Sequence, residues 1–153
     1  MSGTPRTAIV TGASKGIGAA LATRLAADGF QTIVNYASSA AEAEEVVAAI
    51  AAAGGCAMAI HADVTDAGAM KALFDQAEKA FGPVDVLVNN AGIIKLSPLA
   101  QVADEEFVER LIADIPLGRL GQPDDVARIV SFRACSESGW VNGRIIKANG
   151  GRN

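Results

Sequence analysis

The run Thr11-Gly12-Ala13-Ser14-Lys15-Gly16-Ile17-Gly18 follows directly on Thr7-Ala8-Ile9-Val10. Small and β-branched residues make a buried strand. The glycines after it let the backbone turn sharply and aim the first N–H groups of a following helix at a phosphate. Gly18 has a packing role too, letting a helix with Leu21 and Leu25 on one face lie close to the strand. A three-glycine pattern alone is only a turn. Placed at the first strand-to-helix corner of an alternating chain, it reads as a site for the pyrophosphate of a dinucleotide.

Other residues with chemical potential are few. His61 is the single histidine, and no carboxylate or cysteine ligand pattern surrounds it, so it reads as a hydrogen-bonded structural residue. Cys56 and Cys135 lie far apart without a CxxC spacing, which argues against a redox motif or metal site and for buried free thiols. The net charge of −4 comes with no basic run, so neither nucleic acid nor an anionic membrane has electrostatic support. Residues 1–7 are polar, and no stretch approaches the ~18 apolar residues of a membrane span, so the expected location is cytoplasmic.

The elements that position the glycine run alternate regularly to about residue 92. Gln31–Tyr36 reads as a second strand. Residues 40–53 read as an alanine-rich helix with Val46, Val47 and Ile50 inward, ended by Gly54-Gly55. Residues 56–64 give a third strand. Asp66 caps a helix running to Phe81, with Met70, Leu73, Phe74 and Ala77 on one face, and Val84–Val88 gives a fourth strand. Near-continuous apolar strands separated by helices imply an α/β fold with a parallel sheet covered on both faces. At 153 residues, half of them hydrophobic, the chain is expected to be one domain.

Two further motifs stand at strand ends: Asp63-Val64, and Asn89-Asn90-Ala91-Gly92. With TGASKGIG at 11–18, DV at 63–64 and NNAG at 89–92, the chain resembles the short-chain dehydrogenase/reductase family, classical type. PLGRLGQPDDVA at 116–127 and SGWVNGRIIKANGG at 138–151 look like that family's last helix and last strand. The resemblance implies a Rossmann-like doubly wound sheet binding a dinucleotide at its carboxyl edge. Gly12, Gly16, Ile17 and Gly18 would line the pyrophosphate, Asp63 and Val64 would hold the adenine, and Asn90, Ala91 and Gly92 would flank the adenosine ribose and stiffen the sheet edge. An NAD site generally ends strand two in a carboxylate for the ribose 2′-hydroxyl, whereas this chain has Asn35-Tyr36-Ala37-Ser38-Ser39. Lys15 resembles the basic residue that family members set against a 2′-phosphate, and Ser38 or Ser39 would add hydroxyl donors. NADP(H) is therefore the expected cofactor and NAD(H) the alternative. Ser14 and Tyr36 complete the expected binding set.

After NNAG the family pattern breaks. Family members continue with a strand ending in a catalytic Ser and a helix carrying Tyr-x-x-x-Lys, and this sequence has neither. Its single tyrosine, Tyr36, is followed four residues on by Ala40. Lys95 and Ser97 match no family role and read as surface loop residues. The family's N-terminal block, 1–106, joins its C-terminal block, 107–153, near residues 105–109. About two strand-plus-helix units are missing there, at ~30 or more residues each. Residues 107–115 and 123–130 still carry helical spacing, and residues 143–148 (GRIIKA) are expected to form a last strand beside strand four, giving about five strands in order 3-2-1-4-5. Otherwise the open edge of strand four would pair with a second copy, as a homo-oligomer or strand-swapped dimer. Loss of a general acid alone costs ~10²–10⁴ in rate. By ancestry the chain is then an oxidoreductase of small alcohol or carbonyl substrates, inactive or weakly active as it stands. The alternatives are a catalytically silent dinucleotide-binding or oligomerisation module and a non-functional deletion product.

Overall fold

The computed structural model describes residues 5–92 and 105–152. Strands β1 (Thr7–Val10), β2 (Gln31–Tyr36), β3 (Cys56–His61) and β4 (Val84–Val88) form one parallel sheet in the order β3-β2-β1-β4. Between them run α1 (Gly16–Ala27), α2 (Ala40–Ala52) and α3 (Ala67–Phe81), followed by α4 (Glu105–Ala113), α5 (Pro123–Ala134) and a short 3-10 turn, Ser136–Ser138. This is the expected doubly wound arrangement.

The two-residue period of the strands divides the core. Ala8, Val10 and Val34 point to one face, where Leu21, Leu25, Ile50 and Ala127 cover them. Ile9, Ile33 and Ile60 point to the other, against Leu73 and Ala77 of α3, with Met70 and Phe74 partly buried beside them. Asp66 caps α3 as anticipated, its carboxylate accepting from the N–H groups of Gly68 (2.7 Å) and Ala69 (3.1 Å). At the start of β1 the register with β4 shifts by one residue, and the carboxylate of Asp85 takes the Thr7 N–H at 2.8 Å.

Two expectations are corrected. The sheet has four strands among the described residues, because residues 143–148 form no strand. The ends of that segment are held elsewhere. On one side Arg133 and Ser138 tie the 3-10 turn to the end of α5. On the other the Leu117 N–H donates to the Gly150 carbonyl (3.3 Å), and Arg152 reaches Asp114. GRIIKA is thus not brought into register with β4, and Ile145 stays 95% exposed. Among the described residues β4 is thus an edge strand, and Leu87 is exposed. Where α5 meets α1 its buried side chains are small. Its fully buried stripe is Ala127, Ser131 and Ala134, small side chains that let it lie close against α1, with the Ser131 hydroxyl donating to Asp28. Second, Cys56 is exposed and Cys135 half-buried, where buried thiols were expected. Cys56 opens an edge strand, where no further layer covers it.

No helix among the described residues is long and apolar enough to cross a membrane.

Candidate functional site

Every parallel strand in this sheet delivers its carboxyl end to the same edge, and two buried polar side chains fasten those ends together. Thr11 is 1% exposed. Its hydroxyl donates to the Val88 carbonyl (3.2 Å) and accepts from the N–H groups of Asn90 and Ala91, both at 3.0 Å. Its one proton and both lone pairs are in use. Asn90 returns the tie, its side-chain amide donating to the carbonyls of Thr11 (2.9 Å) and Gly12 (3.1 Å). The anticipated stiffening of the sheet edge by NNAG therefore has a concrete form: β4 is clamped to the glycine loop.

Asn35 does the same from the other side. It is 1% exposed, following the buried Ile33 and Val34 on β2. Its amide donates to the carbonyls of Ile60 (3.3 Å) and Ala62 (3.0 Å), and its oxygen accepts the Gly12 N–H (3.3 Å). One side chain thus links β2, β3 and the glycine loop.

The loop itself is shaped by backbone contact. A Cβ on Gly18 would lie 2.3 Å from the Gly12 carbonyl and 2.6 Å from the Asn90 amide, so only glycine fits there. Gly16 is different. Its φ is +59° and a Cβ would meet nothing within 4 Å, so its demand is for a left-handed backbone. No acidic residue stands in the first turn of α1, and Lys15 gives it no side-chain cap. The free N–H groups and positive dipole end of α1 therefore face the cleft uncompensated, which suits a phosphate.

Around that helix end lies a cleft of about 970 Å³, lined by Gly12, Ser14, Lys15, Ile17 and Gly18 from the loop. Tyr36 and Ser38 line it after β2, Asp63 and Val64 after β3, and Asn90, Ala91 and Gly92 after β4. All of the sequence-derived set except Gly16, which is exposed and does not line the cleft, is brought together here. Ser39, the alternative to Ser38, lines it as well, and so do Asn35, Ala37, Ala62 and Thr65, which were not in that set. Asn35 had a readable signal, since an amide inside an apolar strand must find partners. Lys95 and Ser97 lie outside the described residues.

The charges in the cleft are sparse. The Asp63 carboxyl is held below the usual carboxylate range, first by the Thr65 N–H (2.9 Å) and then by the Thr65 hydroxyl (2.7 Å), both on Oδ1. It is thus ionised at neutral pH, with Oδ2 left to accept. No carboxylate lines the cleft at the end of β2; Glu42, in the first turn of α2, is not part of the lining. His61 donates from Nε2 to the Ala37 carbonyl at 2.9 Å, in keeping with the structural role expected of it. Among the described residues no group of His, Cys, Asp and Glu is arranged to hold a metal ion. A second cavity, about 620 Å³, lies at the amino end of the sheet between α1 and α5. Its three arginines are matched by carboxylates, Arg6 to Asp85, Arg24 to Asp28 and Arg128 to Asp124.

Residues 6–114 match the family model described as short chain dehydrogenase. An uncharacterized oxidoreductase of Methylorubrum extorquens is 31% identical over 240 aligned positions, which take in 95% of this chain and 97% of that protein. The 3beta-hydroxysteroid dehydrogenase 1 of Eggerthella lenta is 48% identical over 102 residues, 67% of this chain but 39% of its own length. Apart from the Methylorubrum protein, then, the chain spans well under half of the curated relatives compared, 38% to 42% of each. Among solved structures, the promiscuous reductase LugOII, which catalyses keto-reduction at C1 during lugdunomycin biosynthesis, superposes with a TM-score of 0.84 at 25% identity. That match covers 97% of this chain and 98% of LugOII.

Proposed function

This chain belongs to the short-chain dehydrogenase family of oxidoreductases, which implies a nicotinamide dinucleotide cofactor, and from that premise we propose that it binds NADP(H) and has lost most or all of the family's catalytic power. The observation that carries the reading is the single cleft in which the uncapped end of α1, the β2 end and the Asp63 and Asn90 turns converge. In this reading the N–H groups of the glycine loop hold the pyrophosphate, Asp63 Oδ2 and Val64 hold the adenine, and Asn90, Ala91 and Gly92 flank the ribose. Lys15, Ser38 and Ser39 meet the 2′-phosphate. A carboxylate at the β2 end would repel that phosphate, and none lines the cleft there.

The chain is read as one dinucleotide-binding domain made of blocks 1–106 and 107–153. Contacts between the blocks support this: Ser131 donates to Asp28, and Arg6 donates to the Ala134 carbonyl at 2.8 Å. Alignment of 95% of this 153-residue chain along 240 positions of a relative supports a reading in which the missing material is internal.

Bound NADPH supplies a hydride. Carbonyl reduction also needs a proton donor at the substrate oxygen and donors for the developing oxyanion. The single tyrosine, Tyr36, sits against His61 at the β2–β3 end of the cleft, with no lysine four residues on. Ser14, Ser38 and Ser39 are committed in this reading to the phosphate end. Nothing in the described cleft fills the donor role.

Fluorescence titration with NADPH and NADH tests the cofactor assignment. NADPH is expected to bind about tenfold more tightly, the worth of a charge-assisted contact to the 2′-phosphate. Equal affinities, or tighter NADH, would remove the NADP(H) assignment; no binding of either would remove the whole reading.

A further inference from the structure

We infer that His61 is a positioning residue for cofactor selectivity: by pinning the Ala37 carbonyl it sets the place of Ser38 and Ser39, and through them the discrimination between a 2′-phosphate and a 2′-hydroxyl. This rests on the NADP(H) reading above and goes one step beyond it. The parallel register sets Tyr36 opposite His61, the last pair of the β2–β3 ladder, and the next rung is the Ala62 N–H donating to the Tyr36 carbonyl at 2.9 Å. There the backbone ladder stops. The chain leaving β2 must cross residues 37–39 before α2 begins at Ala40, and Ser39 gives that helix no side-chain cap.

His61 extends the sheet by one rung made from a side chain. Its Nε2 donates to the Ala37 carbonyl at 2.9 Å, and its ring stands edge-on to Tyr36, with centroids 5.6 Å apart and planes at 63°. A carbonyl can only accept, so Nε2 carries the proton. Among the described residues this is the one side-chain hydrogen bond received by residues 37–39. The bond is exposed, so its contribution to global stability is small, while its effect on the position of the loop is direct.

Selectivity is the consequence. In the binding reading, residues 37–39 meet the cofactor only at the 2′ position, whereas the pyrophosphate and adenine are held by other elements. Loosening the loop therefore weakens NADPH and leaves NADH nearly untouched. A residue that merely held the fold would weaken both alike.

His61→Phe keeps an aromatic ring beside Tyr36 and removes the N–H; His61→Gln restores an N–H at similar reach. In parallel NADPH and NADH titrations, with thermal melting as the check on folding, H61F is expected to lose about fivefold in NADPH affinity with NADH changed by less than about twofold, and H61Q to recover most of the loss. If the unaltered chain prefers NADPH and H61F keeps the same NADPH-to-NADH ratio, the inference is overturned while the cofactor reading stands. If H61Q fails to recover what H61F loses, the hydrogen bond is not the cause and the inference also falls. If the unaltered chain shows no preference, the cofactor reading falls and takes this inference with it.

Discussion

Gly18→Ala abolishes dinucleotide binding and destabilises the fold; this is the largest effect expected of any single methyl group in the chain. The added carbon would lie 2.3 Å from the Gly12 carbonyl, 2.6 Å from the Asn90 amide nitrogen and 2.9 Å from the Ala13 Cα. None of these is the free end of a flexible side chain. Gly12 and Ala13 belong to the loop that faces the cleft, and the Asn90 amide is already committed to the Thr11 and Gly12 carbonyls. Relief requires the loop to move off β4 or α1 to move off the sheet, and either breaks the cradle. Overpacking of this kind costs about 1–3 kcal/mol in stability. Urea unfolding reads that loss, and NADPH fluorescence reads the loss of binding. Gly121→Ala is the matched control: its Cβ meets nothing within 4 Å, and it is expected to shift stability by less than about 0.5 kcal/mol. A G18A protein that binds NADPH as well as the parent would mean that the loop is not the cofactor cradle.

Asn35→Leu is the second large effect, and it acts from beneath the site. Leucine is of similar size and suits a buried strand, so propensity alone would favour it. The substitution instead strips a partner from the Gly12 N–H and from the Ile60 and Ala62 carbonyls, all tied by Asn35. Buried polar groups left without partners cost about 1–3 kcal/mol each, and partial relaxation brings the sum to about 3 kcal/mol. The urea midpoint is expected to fall accordingly. NADPH affinity falls with it, because the glycine loop loses its tie to β2. A loss of stability below about 0.5 kcal/mol would show that water or a backbone shift replaces these bonds at no cost, and that Asn35 is not the clamp.

These two residues mark how far the sequence could be read. Gly18 was legible because a glycine at that spacing after a strand has one packing explanation. The alternation of elements through residue 92 was legible for a similar reason, since each strand is a short apolar run closed by turn residues. Asn35 stands in plain view within QTIVNY, where its residue type alone shows no more than the lack of a carboxylate near the end of β2. Its role depends on which backbone groups from β1 and β3 fall beside it, and that is a property of register across the sheet. The C-terminal block was harder still. Local pattern favours a strand at residues 143–148, yet a strand exists only where a partner edge is reached, and here the segment is tethered at both ends away from β4. In α5 the buried positions are the small residues Ala127, Ser131 and Ala134, which follow from close approach to α1 and not from apolar periodicity. Lys15 and His61 illustrate the limit on function. Their types are clear, but their positions follow from the fold, Lys15 lining the cleft from the loop after β1 and His61 reaching the Ala37 carbonyl from the end of β3.

We propose that a dinucleotide site survives in this chain without the residues that turn binding into reduction. The most direct test is a turnover assay on the purified chain saturated with NADPH, supplied with a panel of aldehydes and ketones and followed by NADPH absorbance, with occupancy verified by fluorescence in the same sample. The expected result is full occupancy and consumption of NADPH at least ~10²-fold slower than a complete family member under the same conditions, the least that loss of the general acid should cost. Steady turnover at a rate comparable to such an enzyme would contradict the account, and would mean that residues outside the described cleft supply the missing proton donor.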